Sequence, residues 1–259
     1  MNGLLRQLLV IIVFAATLVA NALASSGALG GIPTAEISNA YPIYFVPANQ
    51  TFAIWGVIYT ALTAFVVFQA LPAQRENPYL KRISGLFVLS SIANALWLVL
   101  FQYEQFWLSV PVMLSLLGLL IAIYRRLDVG KAVSRGTFWL MQVPFSIYLA
   151  WITIATIANV AQALFASGLT ELGLGGPVWA AIMLVAGTAI ICAVIVRGRG
   201  NIAYGLTTLW AIAGIVVKQS ATPLVSGTAL AMIGVIVAVL VYSRWQHRRP
   251  EAVKQTVLA

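Results

Sequence analysis

Uncharged runs dominate the chain, covering positions 7–35, 37–74, 83–103, 105–124, 136–170, 172–196, 200–217 and 219–243. Each holds one helix of about 18–20 apolar residues, the length that crosses a bilayer core of about 30 Å. The pattern therefore predicts eight membrane-spanning helices. No hydrophilic stretch between them is long enough to form a soluble domain. Inside three runs, polar and aromatic side chains recur at helical spacing: Phe52, Trp55, Tyr59 and Leu62; Ser90, Asn94, Trp97 and Phe101; Tyr148, Trp151, Ala155, Asn159 and Gln162. Such spacing sets each group on one helix face. An amide turned to lipid loses its water partners, so these faces are expected to look inward.

Composition agrees. Of 259 residues 61% are hydrophobic and 8% charged, with mean hydropathy +0.96, against about 25% charged in an ordinary soluble domain. Disorder and collagen-like repeats are excluded. The net charge of +9 could suggest a nucleic-acid partner, but its distribution points to a membrane. Alternating the loops between two sides puts fourteen of the fifteen Lys and Arg residues on one side, with Lys218 alone opposite. By the positive-inside rule both termini are then cytoplasmic, in a multi-pass protein of the cell (inner) membrane with anionic lipids as neighbours. Arg6, the apolar run 8–20 and Ala22-Leu23-Ala24 resemble a secretory signal peptide; the length of the run and Asn21 favour a retained helix instead.

Reactive side chains are scarce. Cys192 is the only cysteine and His247 the only histidine, so neither a disulfide nor a His/Cys metal cluster is expected. All six acidic residues fall in loops or at helix ends, which leaves no carboxylate at membrane depth for ion coupling and no counter-ion for Lys218. Ser-His-Asp and Cys-His sets cannot be assembled, and no phosphate-cradling loop occurs. The expectation is no catalytic residue, no metal and no required cofactor.

The aromatic and amide stripes carry a family resemblance. FVPANQTFAIWGVIY (45–59), IANALWLVLF (92–101), QFWLSV (105–110) and PFSIYLAWITIATIAN (144–159) resemble, in order and spacing, the first loop and second to fifth helices of the TspO/MBR family, the tryptophan-rich sensory or translocator proteins. The similarity covers about residues 8–166. Pro111 stands where the family commonly has an acidic residue, and Tyr44 and Phe45 stand in a loop that carries tryptophan there.

The implied architecture is an all-α membrane protein: an eight-helix bundle with a TspO-like five-helix module (1–169), three additional transmembrane helices (170–245) packed around it, and a basic tail (246–259). The implied ligand is flat and hydrophobic, a tetrapyrrole such as protoporphyrin or haem, or a sterol-like lipid. Its site would comprise Trp55, Tyr59, Asn94, Trp97, Trp107, Tyr148, Trp151 and Asn159, beneath a lid made by the loop 27–50. The activity implied is sensing or carriage, with homodimerisation as the family's usual association. A tetrapyrrole-degrading membrane enzyme and a structural or assembly protein stand as alternatives.

Overall fold

The computed structural model of the protein describes residues 3–169 and 173–248. Eight long helices run in chain order: α1 (Gly3–Ser25), α2 (Ile54–Ala70), α3 (Pro78–Gln102), α4 (Phe106–Arg126), α5 (Val143–Ala166), α6 (Gly176–Arg197), α7 (Ile202–Lys218) and α8 (Pro223–Arg248). α2 is entered through a tight turn, Asn49–Ala53. α5 is entered through Arg135–Thr137 and a π-helical turn, Phe138–Gln142. Counted with the turns that lead into α2 and α5, seven of these apolar spans reach at least 18 residues, and α7 stops at 17, or about 25 Å at the usual helical rise. The eight-helix, all-α membrane architecture expected from the hydrophobic runs is therefore the one observed.

Helix boundaries follow local chemistry. The Asn77 side chain accepts from the backbone N–H of Tyr79 at 2.9 Å, and Pro78 takes the first position of α3, where a missing N–H costs nothing. Asn201 caps α7 in the same way by accepting from Tyr204 N–H at 3.1 Å. Glu104, at φ 56°, reverses the chain between α3 and α4 in a three-residue turn.

α5 is buried on nearly every side, its polar residues Ser146, Thr153, Thr156, Asn159 and Gln162 included, as befits the central helix of the bundle. α4 packs against α3 and α5, α1 against α3, and α2 against α5. The last three helices form a unit in which α8 lies on α6 and α7, and α7 docks onto α5. One end of the bundle gathers the basic residues: Gly3 abuts Arg75, the loop at Gly130 touches Gly198, and Gly200 lies under Arg244. The opposite end carries the loop between α1 and α2, with a short helix at Thr34–Asn39.

Candidate ligand-binding site

At the loop-bearing end, α2, α3 and α5 enclose a cavity of about 40 Å³ walled by Phe52, Trp55, Trp97, Phe101, Trp151 and Asn159, with Thr34, Ser38 and Pro47 of the loop as its roof. The rings pack edge to face, stacked and tilted. Trp151 meets Phe52 at 5.6 Å and Trp55 at 6.2 Å, Trp55 stacks on Tyr59 at 5.3 Å, and Trp97 tilts on Phe101 at 5.1 Å. These are preferred aromatic geometries.

Beside the cavity a polar node ties three helices. The Trp97 indole N–H donates to Asn159 Oδ1 at 3.0 Å, and the Asn159 amide N–H donates to Ser109 Oγ at 2.8 Å. Farther from the roof, Asn21 of α1 donates to Asn94 Oδ1 at 2.9 Å, with the Tyr59 hydroxyl close to both amides. Tyr148 lies beside Asn94 and packs edge-on against Trp55.

Two donors on residues lining the cavity have no partner: the indole N–H of Trp151 and the amide N–H of Gln162, both buried. A buried unmet donor costs about 1–3 kcal/mol. The walls thus offer flat aromatic faces, and two of the lining residues hold buried N–H groups for which the described residues supply no partner, a setting suited to a ligand that is apolar in body and carries a hydrogen-bond acceptor.

The eight sequence-derived candidates separate into three groups. Trp55, Trp97, Trp151 and Asn159 line the cavity. Tyr59, Asn94 and Tyr148 lie together outside its lining, where Asn94 Oδ1 accepts from Asn21 while the Tyr59 hydroxyl and the Asn94 amide N–H find no partner among the described residues. Trp107 does not join them: α4 turns Phe106, Ser109, Met113 and Leu116 inward, so the neighbouring position faces outward, 52% exposed, with its indole N–H donating to Ser167 Oγ. Gln162 belonged to the stripe on α5 but not to the candidate set, and its position one turn beyond Asn159 was the available signal.

Sequence reasoning missed how the roof is held. Gln102, the last residue of α3, donates from its amide to the carbonyls of Ile32 at 2.9 Å and Leu29 at 2.5 Å, and accepts from Thr34 Oγ1 at 2.9 Å. Tyr41 donates to Glu104 at 2.7 Å, a bond that with burial pushes the phenol up to about 12. The other anchors come from α7. Gly214 O accepts from Ala48 N–H at 3.1 Å, Trp210 donates to Thr51 O at 3.0 Å, and Lys218 donates to Asn39. Lys218 is therefore tied to the roof rather than stretched freely toward solvent. α7 supplies no wall of the cavity, yet it fastens the loop that closes it.

Fold and site together define a multi-pass α-helical membrane protein with an aromatic cavity beneath a pinned loop. The TSPO-like protein family model matches residues 7–242, and the chain belongs to that family. The match runs beyond the motifs ending near residue 166 and takes in all eight helices. No curated protein or solved structure matches the chain. Membership in this family points to a membrane protein of the ligand-binding or sensor kind.

Proposed function

We propose that the protein is a sensor or carrier that binds a flat hydrophobic ligand, a tetrapyrrole or a sterol-like lipid, beneath the loop 27–50, by reversible binding without turnover and without a resident cofactor. The observation that supports this reading is a cavity walled by Phe52, Trp55, Trp97, Phe101 and Trp151, two of whose lining residues, Trp151 and Gln162, hold buried N–H groups with no partner among the described residues. A porphyrin or sterol carries the complementary features: a broad apolar face and a carboxylate or hydroxyl that accepts.

Size adds a mechanistic requirement. A cavity of about 40 Å³ has room for one or two waters, whereas sites for drug-sized ligands run to about 300–1,000 Å³. Ligand entry therefore demands that the roof lift. The α1–α2 loop is equipped to do so, because Gly27, Gly30 and Gly31 hold positive φ angles of 76°, 80° and 89° at its start. Lifting it strains the bonds to Gly214, Trp210 and Lys218, so occupancy of the cavity is transmitted to α7. This is a population shift between a closed and an open roof, biased by ligand affinity for the open form.

Titrating the purified protein with protoporphyrin, haem and a sterol while following tryptophan fluorescence tests the reading. Saturable quenching by one of them, weakened about tenfold or more by Trp151→Leu, is the expected result. Absence of saturable quenching with all three ligands, or an affinity unmoved by Trp151→Leu, would overturn it.

A further inference from the structure

A second, more spacious cavity lies at the other end of the bundle. It is a crevice of about 710 Å³ between the entry to α5, the α6–α7 turn and the end of α8. We propose that it binds an anionic phospholipid, with the phosphate held by Arg199 and Arg244 and an acyl chain laid along Trp139 and Leu206.

The floor is a built feature. Two loops meet there so closely that a Cβ on Gly130 would come within 2.8 Å of the Gly198 carbonyl oxygen, and Gly130 itself sits at φ 95°. The α6–α7 turn holds Arg199 and Gly200 at φ 53° and 74°, with the stem of Arg244 packed over Gly200. The π-helical turn Phe138–Gln142 forms the opposite wall and inserts one extra residue before α5. It leaves Trp139 63% exposed in the lining of the crevice, to which Leu206 of α7, itself 58% exposed, also belongs.

Among the described residues nothing compensates the charge of Arg199 and Arg244 at the crevice. Among the described residues two ion pairs form, Lys81–Glu76 and Lys131–Asp128. Lys131 lines the crevice but is taken up by its aspartate at 2.6 Å. Arg199 and Arg244 enter neither pair. The uncharged polar groups of the wall are already engaged: Gln142 donates to Leu127 O at 2.9 Å, and Asn201 donates to Ser146 Oγ at 2.7 Å. The first turn of α7 begins at the crevice with Ile202 and Ala203, so the positive end of the helix adds to the field of the two guanidinium groups. Paired arginines suit a phosphate because their planar forks donate in parallel to its oxygens. An apolar slot running from the charges toward exposed Trp139 and Leu206 is the complement of a chain attached to that phosphate. A free phosphate would leave this slot unused.

The test uses the full-length protein in phosphatidylcholine vesicles containing brominated chains on either phosphatidylglycerol or phosphatidylcholine. Trp139 emission is isolated by difference from Trp139→Phe. Brominated phosphatidylglycerol is expected to reach half-maximal quenching at roughly fivefold lower mole fraction than brominated phosphatidylcholine. Arg199→Gln with Arg244→Gln should abolish that preference, and Arg197→Gln, at the exposed end of α6 outside the crevice, should keep it. Arg199→Gln alone, on a surface turn, gives a partial loss that keeps the test decisive if the double variant does not insert. Equal quenching by the two lipids, or an unchanged preference in the arginine variants, would overturn the proposal. So would loss of the preference on adding millimolar inorganic phosphate, which would assign the arginines to a free anion.

Discussion

Asn159, Trp151 and Gln162 share one face of α5, yet their hydrogen bonding assigns them different work. The amide of Asn159 is used on both sides, by Trp97 and Ser109. Asn159→Leu would strand the indole N–H and the serine hydroxyl of two neighbouring helices. A loss of about 0.6–2 kcal/mol of stability is expected, seen in thermal unfolding with or without ligand, and little change in the affinity of the folded fraction. Gln162 presents the reverse case, since its buried N–H has no partner. Gln162→Leu should raise the stability of the empty protein by about 1 kcal/mol, because an unmet amide is replaced by packing. It should also weaken ligand binding. A variant that both loses stability and binds normally would show that the amide serves the fold alone. The sequence placed all three residues on one face but could not separate them, because that depends on Ser109 and Trp97 arriving from other helices.

At the scale of elements, the helices were legible because a bilayer imposes a length and excludes charge, and both marks are written along the chain. The roof was legible only in part. The family resemblance implied a lid at 27–50, while its fasteners are one glutamine at the end of α3, Glu104 in the turn that follows it, and three positions of α7 that look like ordinary span residues. Gly214 is the clearest of them: a Cβ there would lie 2.9 Å from Pro47 Cβ and closer still to Thr51. Gly214→Val should push the loop off α7 at a cost of about 1–3 kcal/mol, and hydrogen exchange should report it as faster exchange of the Ala48 amide. A second fastener depends on pH. The Tyr41 phenol is raised to about 12 by its bond to Glu104, above an ordinary value near 10. Its contribution is therefore complete below about pH 10 and is lost as pH rises through 12. Protease nicking of the loop should increase across that window in the native protein, and Tyr41→Phe should remove the step.

For the whole molecule, the motifs carrying the family resemblance lie within residues 8–166, whereas the family match extends over residues 7–242. α6 to α8 escaped recognition because their residues pack against one another and against α5, leaving no aromatic or amide stripe to read. The structure gives them a role, since α7 joins the roof of the cavity to the rest of the bundle. Their orientation with the others follows from charge. Arg75, Arg199 and Arg244 gather with the other basic loops at one end, and Lys218 sits at the opposite end against Asn39. With fourteen of fifteen cations on one side of the sequence plan, the positive-inside rule predicts that this end lies in the cytoplasm and the roof outside. A reporter that works only in the cytoplasm should be active when fused after Ala259 and silent when fused after Glu171. The reverse pattern would turn the bundle over, present the aromatic cavity to the cytoplasm, and make any ligand reaching it one supplied from within the cell.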